Sequence, residues 1–237
     1  MNKFLVLTML LAPLAPRALH SQDGQDGRDE EAYAVLEAAS ERYYGLENLC
    51  AQFHQVIEVT LLKQTVSSEG TVCQRQPDRF SMRWSEPEGN LVVVDGEFLW
   101  TFYPSMDDKQ VMRFSAEVAG GGFNFYKNFL DNPRQRFAVV HDGREPMGEG
   151  TSHKIMLTPK GPGGARTAGF RSATVWFDVD RLLITAVVYE DTNESIRTLR
   201  FSDIRVDIEI PDETFRFVPP EGARVMAAPD GTAGIAR

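Results

Sequence analysis

The sequence predicts a mainly β protein: a strongly curved antiparallel sheet or barrel, with helices at its start and middle serving as plug or lid. Three observations carry this. Roughly a dozen short apolar runs succeed one another with turn residues between them. From Gly70 to Pro104, three aromatic-rich runs are parted by Gln76-Pro77-Asp78, Glu86-Pro87-Glu88-Gly89 and Asp95-Gly96. Asp-Gly between two such runs is a strong hairpin signal, because the turn needs positive φ at its centre. Finally, some runs are apolar on both faces. Phe80, Met82 and Trp84 alternate with Ser81 and Arg83, but Leu91–Val94 is apolar throughout and Phe98–Tyr103 nearly so. Such strands need cover on both sides, or a lipid-like ligand on one.

The elements follow in order. Residues 1–21 read as a signal peptide: Lys3 gives the positive end, and Phe4–Ala15 is apolar but too short to span a bilayer. Cleavage after Ala18 or after Ser21 fits, and the absence of a nearby cysteine argues against a lipid-modified N-terminus. Residues 22–28 are polar and glycine-bearing, which predicts a disordered leader. Residues 29–45 predict a helix with Tyr33, Leu36 and Tyr43 or Tyr44 on one face and Gly45 as C-cap.

Strands are expected at 50–60, 64–75, 79–85, 90–94, 98–103 and 109–114. Residues 115–132 break the rhythm with Gly120-Gly121-Gly122, then a short aromatic helix. Strand signals resume at 136–141, 153–158, 170–178, 182–189, 196–206 and 214–217, and a flexible tail is expected over 227–237.

Cys50 and Cys73 are the only cysteines. In an exported protein an even count reads as a disulfide. A hairpin of 50–60 on 63–73, centred between Leu61 and Leu62, puts the two opposite each other. Leu61 and Leu62 at that tip read either as a contact for a membrane partner or as an apolar turn packed on the helix.

Little points to covalent chemistry. There is no G-x-S-x-G, Walker loop or HExxH. His20 falls in the signal segment, and His54, His141 and His153 lie on different expected strands, with no ligand spacing. Asp178-Val179-Asp180 reads as a hairpin turn. No catalytic residue, metal or cofactor is therefore expected. The formal charge is −9; removing residues 1–21, with Lys3 and Arg17 and no acid, makes it −11. That argues against nucleic acid and anionic membrane surfaces as partners.

The ordered set Phe53-x-Gln55, Gly70, Pro77-x-x-Phe80, Trp84-x-x-Pro87 and Asp95-Gly96-x-x-Leu99-Trp100-x-x-x-Pro104 resembles the periplasmic outer-membrane lipoprotein carrier family, LolA. Glu190-Asp191, Thr198–Asp203, Ile210-Pro211, Phe215-Arg216-Phe217 and Pro219–Gly222 continue the likeness, which covers about residues 32–226 of a domain read as 29–226.

The resemblance implies an unclosed barrel of about eleven strands, covered by lid helices. It implies a periplasmic, monomeric carrier that takes lipoprotein acyl chains from an inner-membrane releasing transporter to an outer-membrane acceptor. The alternative is a lipid-binding or lipid-sensing module of the same fold that does not shuttle. Candidates for the acyl-chain lining are Phe53, Ile57, Met82, Trp84, Leu91, Val93, Trp100, Phe102, Leu199, Phe201, Phe215 and Phe217, with Phe123, Phe125, Phe129 and Leu130 as lid residues. The family commonly has arginine just before the proline of P-x-x-F, where it bonds into the lid. Gln76 stands there, and Arg75, one residue earlier, is expected on the opposite face. The turn after Glu190-Asp191 also lacks the family's usual glycine.

Overall fold

Period-2 patterning and the turn residues produce a meander of short hairpins. The computed structural model describes residues 22–116, 125–148 and 150–227. Its first half holds β1 (Asn48–Val59), β2 (Gln64–Arg75), β3 (Arg79–Glu86), β4 (Leu91–Asp95), β5 (Phe98–Phe102) and β6 (Gln110–Ser115). The second half holds β7 (Phe137–Met147), β8 (Gly150–Pro159), β9 (Phe170–Asp178), β10 (Ile184–Asp191) and β11 (Ile196–Val206). A short β12 (Arg224–Ala227) follows. All join one sheet in the order β12-β6-β5-β4-β3-β2-β1-β11-β10-β9-β8-β7. The pairings are antiparallel except β12 on β6. β12 and β7 stay as edges, so the barrel is unclosed, with one short parallel strand beyond the eleven expected.

The central seam joins β1 to β11, with Phe53 opposite Phe201. β1 and β2 pair about the expected centre, and Cys50 opposite Cys73 forms the disulfide. At the hairpin tip Leu61 is 79% and Leu62 64% exposed, so the turn does not pack on the helix.

Helix α1 (Gln22–Tyr44) takes in residues 22–28, which the composition predicts to be disordered. Its buried stripe is Ala32, Val35, Leu36, Ala39 and Tyr43, a helical spacing that lays one face on β7–β10. Gly45 N–H donates to Glu41 O and closes the last turn, as a C-cap should. Arg134, in α3 (Pro133–Arg136), pairs with Glu30 and Glu37 and lies over the Tyr33 ring, holding the outer side of α1. Between these lies α2 (Phe125–Leu130), the expected aromatic helix. Arg136 donates to the Lys127 and Asp131 carbonyls at its end. A one-turn α4 (Gly164–Ala168) links β8 to β9.

Residues 214–217, expected as a strand, instead enter a 3-10 turn over Asp212–Phe215. This segment runs across the strands rather than alongside them, so it makes no ladder. We call residues 207–223 the strap. Asp207 and Ile208 N–H anchor its start on the Asn48 carbonyl and side chain. Its end becomes β12, which includes Ala227; residues 228–237 of the expected tail lie outside the described residues.

Gly70 is a steric hinge of the sheet. A Cβ there would stand 2.0 Å from Arg83 O and 2.8 Å from Trp84 Cα, beside the β2–β3 irregularity at Glu69/Gly70. Gly70→Ala is therefore expected to force the strands apart and lower stability by about 1–3 kcal/mol, read from the urea midpoint. Replacing both cysteines by alanine should cost roughly 3 kcal/mol by releasing the unfolded chain. Reduction of the wild type should lower the midpoint similarly and leave the alanine variant unmoved.

Candidate functional site

The residues expected to form one lining are divided between two faces. Leu91, Val93, Trp100 and Phe102 form a cluster with Val111, packed against Phe217 and Ala223 of the strap. Phe215 packs with Cys50, Cys73 and Ile210 on that same side. Two arginines pin the strap. Arg75 bonds Asp212 at 2.6 Å, donates to the Ile210 carbonyl and lies over the Phe215 ring. Arg83 donates to Arg216 O at 2.9 Å, and its burial lowers the guanidinium pKa. Leu91, Val93, Trp100, Phe102, Phe215 and Phe217 thus make a closed strap face. Arg75 lies on the strap face, away from the helices, as expected from its one-residue offset.

Trp100 shows why the Asp-Gly-x-x-Leu-Trp pattern hangs together. Asp95 accepts from Glu97 N, Phe98 N and the Trp100 indole at 2.9, 2.8 and 2.7 Å. Turn and indole are locked as one unit, and Arg113 covers Trp100 and Phe98 from above. Burial raises the Asp95 pKa, but these three donors and Arg79 outweigh it and hold the carboxyl below its ordinary value.

The opposite, helix-bearing face carries Phe53, Met82, Trp84 and Phe201 of the expected set. Ile57, four residues along from Phe53, and Leu199, two along from Phe201 and opposite Gln55, share its strand parity. Phe53 and Trp84 meet edge to face at 5.6 Å, and Trp84 meets Tyr103 at 5.8 Å. Gly70 lies between Phe53 and Trp84 in register, and its missing side chain lets the rings touch. Phe201 extends the row across β1. Val94, Tyr103 and Met112 join the half-buried patch, over a buried floor that includes Val72, Phe80, Val92, Leu99 and Phe114; none of these were among the sequence candidates. Phe53 is buried, while Met82, Trp84, Val94, Tyr103, Met112 and Phe201 are only half-buried. Burial pushes the Tyr103 hydroxyl pKa up, with Arg197 opposing it.

Of the lid positions, Phe123 lies outside the described residues, as do Gly120-Gly121-Gly122 and the Phe125 side chain. Phe129 and Leu130 are buried in the core beneath α1, with Phe129 against Phe170 at 5.4 Å. That core and the aromatic patch both touch Phe201 and Ile204, so they are contiguous on one face. Gln76 enters a small crevice with Tyr43, Leu46, Glu47, Asn48, Leu49 and Gln74. Tyr43 in turn stacks on Tyr126 of α2, rings 4.6 Å apart.

His54 is exposed and bonds Ser67. Asp178 accepts from Asp180 N and Arg181 N in a hairpin turn, as expected. His141 and His153 lie on different strands, as expected, but β7 and β8 are neighbours and the two rings are hydrogen-bonded at 2.9 Å.

An unclosed sheet with one face strapped shut and the other half-open, apolar and overlaid by helices has the architecture of a carrier or binding protein. Residues 45–218 match the family described as outer membrane lipoprotein carrier protein LolA, and the chain belongs to that family. An outer-membrane lipoprotein carrier protein of Halorhodospira halophila is 26% identical over 198 residues, covering 81% of this chain and 86% of the relative. Two solved structures share the fold at a TM-score of 0.52. One is an uncharacterized conserved protein from Thermus thermophilus, 12% identical, with 84% of this chain and 98% of that one covered. The other is lipoprotein LppX from Mycobacterium tuberculosis, 14% identical, with 77% and 98% covered.

The lowered Asp95 pKa fixes the sign of a pH effect. A depressed carboxyl contributes stability above its unfolded value and loses it as pH falls through the folded one. Asp95→Asn is expected to lower stability at neutral pH by about 1–3 kcal/mol. The difference from wild type should shrink steadily below about pH 4, followed by denaturant midpoints across the acid range.

Proposed function

We propose that the protein is a periplasmic carrier, exported by a cleaved signal peptide over residues 1–21, whose 29–226 domain receives the acyl chains of lipoproteins. It takes them from an inner-membrane releasing transporter and passes them to an outer-membrane acceptor. The row Phe201, Phe53, Trp84 and Tyr103, half-buried except at Phe53, carries this reading, with Met82, Val94 and Met112 around it. Family membership supports it.

The thermodynamics of carriage suit a half-open patch. Each buried methylene contributes about 0.8 kcal/mol, so full enclosure of several acyl chains would make release prohibitively slow. A surface that buries part of each chain holds cargo and still gives it up. Ile57 and Leu199 extend the lining along the β1–β11 seam. The segment with Phe123, Phe125, Phe129 and Leu130 is the lid; of these, Phe129 and Leu130 sit in the core that meets the patch at Phe201 and Ile204. Gln76 lines the same crevice as Tyr43, which stacks on Tyr126 of α2, so it stands where an uncharged amide tunes how firmly that helix sits.

The test is release of a labelled lipoprotein from inner-membrane vesicles, with the mature protein added and the soluble fraction analysed for a stoichiometric complex. The wild type should yield one. Trp84→Glu should reduce it about tenfold or more, the equivalent of some 1.4 kcal/mol, with its circular dichroism unchanged. Trp100→Ala, on the strap face, should lower the melting temperature and still form complex at low temperature. A folded wild-type protein that releases nothing would overturn the carrier reading in favour of a lipid-binding or lipid-sensing module.

A further inference from the structure

A β-bulge brings together two histidines that the carrier reading does not use. β7 and β8 pair Arg144 with His153 and His141 with Ile155, three steps on one strand against two on the other. Gly143, at φ 86°, takes up the extra residue. Without it His141 would oppose Met156 and point away from His153. With it, both imidazoles face α1, each residue 6% exposed. His141 Nε2 lies 2.9 Å from His153 Nδ1. On the helix above, Glu31 Oε2 lies 3.5 Å from His141 Nδ1, its side chain 49% exposed.

We propose that Glu31, His141 and His153 bind a divalent transition-metal ion, zinc first among them, which clips α1 to the β7 edge of the sheet. One donor atom from each residue lies within 4.8 Å of the other two, the one such group with these donors among the described residues. Two imidazoles and a carboxylate are an established zinc donor set that keeps a fourth position for water. Zinc–ligand bonds of about 2.0–2.2 Å set tetrahedral donors roughly 3.4 Å apart. Binding therefore moves the proton between His141 Nε2 and His153 Nδ1 to the other nitrogen of its ring or to solvent; the two nitrogens then part by about 0.5 Å, and Glu31, half-exposed on a helix surface, swings from His141 Nδ1 towards them.

The electrostatic setting favours a neutral His153. Burial, then Arg144 and His141, lowers the His153 pKa, with Glu31 opposing. The ring therefore offers a lone pair at neutral pH, which a metal requires. Asp142, beside His141, is already paired with Lys154 at 2.9 Å. Arg144, the cross-strand partner of His153, is the nearby cation that the ion must displace or outweigh. Glu31 supplies the countercharge. The site stands at the β7 end of the sheet, away from the aromatic row on β11, β1 and β3 and at Tyr103 just past β5, so metal binding and carriage fail independently.

The experiment uses untagged mature protein, stripped with a chelator and titrated with Zn²⁺ by calorimetry and with Co²⁺ by absorption. One equivalent of Zn²⁺ should bind at micromolar concentration or below, Co²⁺ should give imidazole-type d–d bands, and Zn²⁺ should raise the melting temperature. His153→Gln and His141→Ala should weaken binding on the order of 100-fold and Glu31→Gln about tenfold. His54→Ala should change nothing. Circular dichroism without metal checks that each variant folds. No wild-type binding below millimolar Zn²⁺, or binding undiminished in folded His153→Gln, would overturn the proposal. The pair would then be two buried imidazoles that satisfy each other.

Discussion

A single open sheet exposes two faces, and in β4 and β5 both are apolar. One of them must be sealed for the protein to present the other. The strap does this with little regular structure of its own. Its aromatic residues Phe215 and Phe217 fill the space over the disulfide and Trp100, while Arg75 and Arg83 hold its backbone carbonyls. Charge-assisted bonds to carbonyls are stronger than neutral ones, which compensates for the burial of Arg83. With that face closed, the sheet is left with one apolar surface, shared between the helices and the aromatic row.

Much of this fold was legible in the residues, because its signals are local. Asp95-Gly96 marks its hairpin, the midpoint between Leu61 and Leu62 places Cys50 on Cys73, and the α1 stripe has helical spacing. The division of the site between faces was not legible. Leu91–Val94 and Phe98–Phe102 are apolar at almost every position, so alternation has no contrast to read. Strand parity from the Asp95–Trp100 lock would have separated Trp100 from Trp84. Phe215-Arg216-Phe217 imitates a strand but crosses the ladders, and β12 is exposed throughout and has no buried pattern. The histidine pair was hidden because one bulge residue inverts the parity of everything before it in β7.

The departures from the family pattern have local explanations. Arg75 is not a displaced lid residue; it is fully engaged with Asp212, Ile210 and Phe215 on the far side. The turn after β10 needs no glycine because Asp191 shapes it. Its carboxylate accepts from Asn193 N and Ser195 N, and Glu194 takes the positive φ of 66°. Asx-type bonding of this kind is an ordinary substitute for glycine in a turn.

The seam between β1 and β11 divides the chain in time as well as in space. β1–β6 and β7–β11 are each runs of hairpins between sequence neighbours, so closing any one of them sacrifices little chain entropy. The pairing of Phe53 with Phe201, like the short pairing of β12 on β6, joins residues far apart along the chain. Low-contact-order halves form quickly, and distant pairings set the pace. The same seam runs beneath the aromatic row, so that row is complete only once a pairing between distant parts of the chain has been made.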